Sequence, residues 1–211
     1  MRYINLKSNV KVHKLPKWTD DNDLKKIFSI FKKINAELLF VGGAVRSILL
    51  RTQDETKNID IDLVSNLLPE KVLLILSENN LKCLPTGIKY GTVTVILENL
   101  TIQITTLRKD LKSDGRYAEV KFLSDWEEDA KRRDFTMNAI YMDLKGNIYD
   151  PIGGYDDLKN CIVKFIGNPE NRISEDYLRM LRFIRFSSIY SKQRHDKDAI
   201  KALKLMGKKI K

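Results

Sequence analysis

The sequence predicts an α+β fold: a small mixed sheet flanked by helices over residues 1–168, then a purely helical stretch over 169–211. Three observations carry this. Short runs rich in β-branched residues recur through the front of the chain. One of them, Ile59–Val64, alternates apolar and acidic residues with the two-residue period of a half-buried strand. Beyond Asp150-Pro151 the apolar spacing turns helical and stays so.

Thr19 or Asp20 is suited to cap a first helix, whose Leu24, Ile27, Phe28, Ile30, Phe31 and Ile34 follow helical spacing. Glu37–Val41 reads as a buried strand running directly into Gly42-Gly43 and a short helix through Leu50. Arg51–Asn58 is polar and loop-like. Pro69 opens a helix to Asn79, its fixed φ suiting the first helical position. Thr92–Leu97 and Thr101–Leu107 are β-rich and joined by a hairpin at Glu98-Asn99-Leu100. Lys109–Ser124 is charged, carries Gly115 and reads as a mobile loop. Trp126–Arg133 is helical and Ala139–Leu144 strand-like. Lys145-Gly146-Asn147 turns into Ile148–Tyr149, and Ser174–Tyr190 predicts one long helix.

A hydrophobic content of 43% and a charged content of 31% describe a folded soluble protein, not a disordered one. No segment approaches the roughly 18 apolar residues of a membrane span, and the first residues lack a signal-type apolar core. Cys83 and Cys161 lie far apart without metal-type spacing; they read as buried thiols in a reducing compartment, with a cytoplasmic location as the default. The net charge of +10 points to a polyanionic partner. Eight Lys/Arg lie between Lys192 and Lys211, so a terminal helix carrying Lys201, Lys204 and Lys208 faces either solvent or RNA.

Asp60 and Asp62 share one face of the alternating strand. Adjacent carboxylates repel, and hard divalent cations relieve that repulsion. Mg2+ prefers oxygen ligands and completes its shell with water and phosphate. Two such ions can clamp an in-line phosphoryl displacement, although a bare Asp-x-Asp is more often the polar face of an amphipathic strand. Gly42-Gly43, between strand and helix, would present backbone amides to a phosphate, with Arg46 one turn on. The spacing is neither a dinucleotide fingerprint nor a P-loop.

These residues resemble a known set. Gly42-Gly43-Ala44-Val45-Arg46 followed by Asp60-Ile61-Asp62 resembles the first motif of class II tRNA nucleotidyltransferases (CCA-adding enzymes), in the polymerase-beta superfamily. Arg132-Arg133-Asp134-Phe135-Thr136-Met137-Asn138-Ala139 is similar to their second motif, and Asp150-Pro151-Ile152-Gly153-Gly154-Tyr155-Asp156-Asp157-Leu158 to their third. Glu175-Asp176-Tyr177-Leu178-Arg179-Met180-Leu181-Arg182-Phe183-Ile184-Arg185-Phe186 is similar to the fourth.

The resemblance implies a polymerase-beta-like head (1–168) and a helical neck (169–211), adding C and/or A to tRNA 3′ ends from CTP and ATP. In it, Asp60 and Asp62 hold Mg2+, while Gly42, Gly43, Arg46 and Arg133 cradle the nucleotide. Asp134 lies near the ribose hydroxyls with Asn138 behind it. Asp176 and Arg179, expected one turn apart on a helix, read the base; Arg182 and Arg185 extend the stripe toward triphosphate or base. Read from the residues alone, the alternative is a solvated charged face opposite an apolar side of Leu178, Leu181, Ile184 and Phe186. A full-length loop from Leu107 to Ala118 implies that A addition is retained. The absence of the extra Arg-rich motif of bacterial poly(A) polymerases argues against that activity.

The chain also departs from the pattern. Ser47 stands where the first motif usually has an acid, Arg46 and Asp60 are separated by a polar insertion at Gln53–Asn58, and Gln103 stands where a third carboxylate is expected. Glutamine keeps the shape but loses the charge, which predicts weakened rather than abolished catalysis. The family's body and tail domains lie outside these residues. The alternative is therefore a non-catalytic or partner-dependent half of a split enzyme, with a partner chain or self-association supplying the rest. Ile200, Leu203 and Leu205 offer an apolar side for such docking.

Overall fold

A computed structural model describes residues 10–52, 59–98, 100–113, 118–192 and 195–207. The expected insertion at 53–58, hairpin residue Asn99, the loop tip at 114–117 and Lys208 lie outside these residues.

Helix α1 (Asn22–Lys33) buries Leu24, Ile27, Ile30 and Phe31, as its spacing predicts. Its cap is Asp21, one residue beyond the expected pair: the Asp21 carboxylate accepts the Leu24 amide at 2.9 Å. Thr19 and Asp20 belong instead to a short 3-10 turn, Lys17–Asp20. Strand β1 (Leu38–Val41) runs into α2 (Gly43–Leu50) through Gly42. Then follow β2 (Ile59–Ser65), α3 (Pro69–Glu78), β3 (Cys83–Gly87), β4 (Thr92–Ile96) and β5 (Leu100–Thr106). Strand β3 carries Pro85 and little apolar alternation, which hides it in the sequence. With short β8 (Tyr141–Met142) and β9 (Ile148–Tyr149), these strands form one sheet in the order β3-β4-β5-β2-β1-β8-β9.

Among these pairings β2–β5 is parallel and the others antiparallel. One sheet face carries Phe40, Ile61, Leu63, Ile102 and Ile104 into the main core beneath α1, α2 and α3. The other face is covered at one end only, where Leu39, Val41, Val64 and Tyr141 pack against Trp126 and Ala130 of α4 (Trp126–Lys131). Asp60 and Asp62 lie on that second face, beyond the cover, and are exposed.

The charged stretch after β5 is not the expected loop. Its described residues form a hairpin of β6 (Arg108–Ser113) and β7 (Ala118–Phe122). Cross-strand pairing satisfies the backbone here although the side chains lack apolar alternation, so charge hid the strands. At the hairpin base Gly91 (φ 80°) lies against the Phe122 ring, where an added Cβ would sit only 2.7 Å from a ring carbon.

The expected long helix is also divided. Helix α6 (Pro169–Glu175) ends at Asp176, whose backbone is extended (φ −157°, ψ 108°). Its carboxylate accepts the amide of Leu178, the first residue of α7 (Leu178–Tyr190), so one aspartate ends one helix and starts the next. The buried side of α7 also differs from expectation: Met180, Phe183, Phe186 and Ser187 face inward, while Leu178, Leu181 and Ile184 are more than half exposed (54%, 62%, 54%). Both stripes are apolar, but the phenylalanines join an aromatic cluster in which Phe165 stacks on Phe183 at 5.3 Å and Phe135 meets Phe186 edge-on at 5.5 Å. Rings bury more surface than leucine and gain from this geometry. Helix α8 (Lys197–Gly207) docks through Ala199, Ala202 and Met206. Ile200 and Leu203 are half-buried and Leu205 is exposed; so are Lys201 and Lys204. Cys83 and Cys161 are free thiols, half-buried rather than buried, because each lies at an element edge and not in the core.

The Asp-Pro-x-Gly-Gly segment is a structural turn, as expected. Asp150 accepts the amides of Gly154 (2.9 Å) and Tyr155 (2.8 Å), capping α5 (Gly154–Lys159). Gly153 adopts φ 76°, and a Cβ on Gly154 would lie 2.1 Å from the Thr136 carbonyl oxygen. That contact seats the 136–138 turn, which carries Asn138. Gly154→Ala should therefore cost about 2–3 kcal/mol, near the upper end for overpacking, and Gly153→Ala about 1–2 kcal/mol from its left-handed backbone alone. Urea unfolding checks the order; equal stability of Gly154→Ala and wild type would contradict the close approach.

Candidate nucleotide-binding site

Three of the four sequence motifs meet at one open cavity of about 290 Å3, lined by Gly42, Gly43, Arg46, Asp62, Arg133, Asp134, Asn138, Arg182 and Phe186. Its floor is the strand–glycine–helix junction. Gly42 holds φ 68°, ψ −126°, a conformation suited to glycine. A Cβ there would fill the space 3.6 Å from Asp62 Oδ2. The turn leaves the first amides of α2 without intrahelical partners.

The parallel pairing sets Asp60 opposite Thr101 and Asp62 opposite Gln103, so Gln103 stands directly beside the acidic pair on the same face. Asp62 keeps an exposed outer side, yet surrounding protein desolvates its carboxyl enough to raise its pKa; Arg133 pulls it down and Asp60 pushes it up again. This charge repulsion, with an all-oxygen donor set, fits a hard divalent cation that takes water and phosphate as further ligands. Among the described residues no group of three or more His, Cys, Asp or Glu converges. Two carboxylates, with neutral Gln103 in the third place, are what this site offers.

Arg133 is held from behind by a residue that the sequence reading missed. Asp129, fully buried on α4, accepts Arg133 Nη2 at 3.0 Å, Arg132 Nε at 2.8 Å and the Tyr141 hydroxyl at 2.8 Å. Burial raises its pKa, but the two guanidiniums and the Tyr141 hydrogen bond outweigh that and bring it to about 2. The guanidinium of Arg133 also lies 5.5 Å from the Tyr141 ring centre. Burial disfavours its charge, yet Tyr141 and Asp129 keep its pKa raised. The signal was present: Asp129 lies three and four residues before the paired arginines, on one helix face. Arg172 was missed as well. It donates through Nη2 to the carbonyls of Arg132 and Arg133, stapling α6 to the turn that precedes Asp134.

Asp134 and its neighbours form a second cluster. Asp134 Oδ1 accepts Asn138 Nδ2 (2.9 Å) and the Phe135 amide (2.9 Å), while Oδ2 accepts Arg182 Nε at 2.8 Å and lies 2.6 Å from Arg182 Nη2 in the same ion pair. Arg46 donates to Asn138 Oδ1 and lies 5.1 and 4.9 Å from the Phe186 and Tyr190 ring centres. Arg185 is exposed, 5.0 Å from the Phe186 centre.

Asp176 and Arg179 stand apart from this cavity. They are not one turn apart on a helix, because Asp176 lies in the break before α7. Arg179 bonds Glu175 and the Arg172 carbonyl and lines a neighbouring cavity of about 520 Å3 with Arg132 and Arg172. Lys201 and Lys204 lie on exposed α8 surface.

Residues 38–164 match the family described as the poly(A) polymerase head domain. The chain belongs to this family. Among its relatives, the chain is similar to the mitochondrial CCA tRNA nucleotidyltransferase 1 of Danio rerio, 39% identical over 83% of this chain and 40% of the relative. The Homo sapiens protein of the same name is 42% identical over 77% of this chain and 37% of its own. A crystal structure of the Bacillus stearothermophilus CCA-adding enzyme in complex with CTP superposes with a TM-score of 0.73 at 35% identity, covering 90% of this chain and 43% of that one. The chain thus spans about two fifths of the relatives that it matches. The α+β architecture of this head domain, with its mixed sheet and following helices, is the one read from the sequence. Among the described residues no helix is long and apolar enough to cross a membrane.

Removing the acid behind Arg133 would leave two buried-side guanidiniums uncompensated. Asp129→Asn should cost about 3–5 kcal/mol at neutral pH, read by urea unfolding. A depressed carboxylate pKa stabilises fully above its unfolded value of about 4 and loses that contribution as pH falls through about 2. The gap between wild type and variant should therefore shrink below about pH 4. Asp62 works in the opposite sense: its raised value makes ionisation a cost that fades as it protonates. A pH-independent gap would contradict the role given to Asp129.

Proposed function

We propose that this chain is the catalytic part of an RNA nucleotidyltransferase that adds C and/or A to tRNA 3′ ends from CTP and ATP. The observation that carries the proposal is the convergence of Gly42, Gly43, Arg46, Asp62, Arg133, Asp134 and Arg182 on one cavity beside the Asp60–Asp62 face. In this reading residues 1–168 act as the head and 169–211 as the neck.

Asp60 and Asp62 would hold Mg2+, which when bound supplies charge neutralisation and Lewis acidity at the reacting phosphate. Gly43 and the free amides of α2 receive phosphate oxygens, and Arg133, fixed by Asp129, adds a preorganised charge. The RNA 3′-hydroxyl attacks the α-phosphorus and gives up its proton to solvent; an oxygen–phosphorus bond forms, the bond to the bridging β-phosphate oxygen breaks, and pyrophosphate leaves. Asp134 takes the ribose hydroxyls with Asn138 holding it in place. Asp176 and Arg179 supply the base contacts, which requires each to leave its present partner. Arg185, Lys201, Lys204 and Lys208 are assigned to phosphate on the nucleotide or the RNA.

A second reading is a partner-dependent half of a split enzyme. The exposed Leu178–Leu181–Ile184 stripe on α7 favours it, since a monomer gains nothing by showing that surface to water.

Purified protein incubated with Mg2+, CTP, ATP and a tRNA ending before CCA should extend it, and Asp60→Ala/Asp62→Ala should lower extension by about a thousandfold or more. CTP or ATP binding without extension would move the assignment to the split enzyme; neither binding nor extension would sink the proposal. Gln103→Glu, restoring a charge beside Asp62, should raise the extension rate at limiting Mg2+. An unchanged rate would remove Gln103 as the cause of any weakness.

A further inference from the structure

The Asp134 carboxylate has no room left for a sugar. An ionised carboxylate offers about four lone-pair positions; Asp134 uses three on the Phe135 amide, Asn138 Nδ2 and Arg182 Nε, and Arg182 Nη2, 2.6 Å from Oδ2, crowds the fourth. Two of these donors are built into the fold: the Phe135 amide is the next peptide, and Asn138 is buried and held in turn by Arg46. Arg182 differs. Its side chain is 45% exposed, whereas that of Asp134 is 11% exposed. Arg182 also shares the Phe186 ring with two other cations: the guanidinium carbons of Arg46, Arg182 and Arg185 lie 5.1, 5.3 and 5.0 Å from its centre. Three guanidiniums around one ring repel each other, and Asp134 is the carboxylate bonded within this group. An arriving polyphosphate gives these cations a better partner than one shared carboxylate.

We propose that Arg182 is a gate on Asp134, opened by the phosphates of the incoming nucleotide. This rests on the reading of the cavity as a nucleoside triphosphate site. In the arrangement seen here Arg182 caps Oδ2 with one hydrogen bond and a second close contact. The triphosphate draws the guanidinium away, and the vacated oxygen accepts the ribose hydroxyls. Sugar selection is thereby conditional on the phosphate chain: a ligand without polyphosphate meets a capped carboxylate and gains little from its 2′-hydroxyl. The coupling is reciprocal, because a ribose seated on Asp134 leaves Arg182 free for phosphate.

The test compares binding of CTP, dCTP, CMP and dCMP in Mg2+ buffer, by calorimetry for the triphosphates and ligand-observed NMR for the monophosphates. Wild type should prefer CTP over dCTP by about tenfold, the worth of a charge-assisted hydrogen bond, and should hardly distinguish CMP from dCMP. Arg182→Met, which keeps the stem over Phe186 without the fork, should weaken CTP binding and bring the CMP preference up to about tenfold. Arg182→Lys, losing the planar fork but not the charge, should fall between and guards against a misfolded methionine variant. Equal sugar preference for mono- and triphosphates in wild type would overturn the gate. So would an unchanged CMP-to-dCMP ratio in both variants. Asp134→Asn separates the two layers. If it abolishes the CTP preference while the Arg182 variants change nothing, the gate alone is wrong. If it leaves that preference intact, Asp134 does not read the sugar, and the gate falls with that assignment.

Discussion

A single buried carboxylate organises the charged end of the molecule. Asp129 contributes no accessible surface, yet two arginines, a tyrosine hydroxyl and, at 3.3 Å, the Arg108 amide bond to it. Without it, Arg132 and Arg133 would repel one another beside a third cation, Arg108, whose pKa burial and its arginine neighbours bring down to about 10. With it, α4, the turn toward Asp134, β8 and the start of the β6–β7 hairpin become one rigid unit. Under the proposed function, the cavity-facing charge of Arg133 is thus supplied without a reorganisation cost when a phosphate arrives.

A second layer of the same kind passes through backbone. Arg172 grips the carbonyls of Arg132 and Arg133, and Glu175 receives both Arg172 and Arg179. The helices after residue 168 are therefore not appended to the sheet domain. Ile173, Met180, Phe183, Phe186, Ala199 and Ala202 belong to the same apolar core as Phe40 and Ile61. Packing sets the helix that carries Arg182 over the turn that carries Asp134, and the two side chains meet there by charge.

Where local pattern and tertiary demand agreed, the sequence was legible. The alternation of Ile59–Val64 set Asp60 and Asp62 on one face, and the glycine pair after a buried strand located the cavity floor. The reading failed where a segment's charges are satisfied by something distant. Lys109–Ser124 looked like a loop because β6 carries the ion pairs Arg108–Asp110 and Lys109–Glu128 instead of an apolar face, and the run through Asp176 looked continuous because a cap and a helix interior can have the same composition. On α7 two apolar stripes competed, and periodicity alone could not rank phenylalanine contacts with Phe135 and Phe165 above three leucine-type positions. Asp129 left only its helical spacing to the paired arginines as a signal and Arg172 left none, since neither faces the cavity and each acts through another residue.

The parallel register of β2 and β5 also has a kinetic side. A parallel pair cannot close through a hairpin; here the connection runs through α3, β3 and β4. Loop entropy must be met before this pairing returns anything, so it follows the assembly of the intervening unit. Only then does Gln103 come to rest beside Asp62, while β1 brings Gly42 from the other flank. The acidic face is accordingly absent from any partly folded chain and complete in the folded one. Under the proposed function, a refolding molecule acquires its hold on Mg2+ late and all at once.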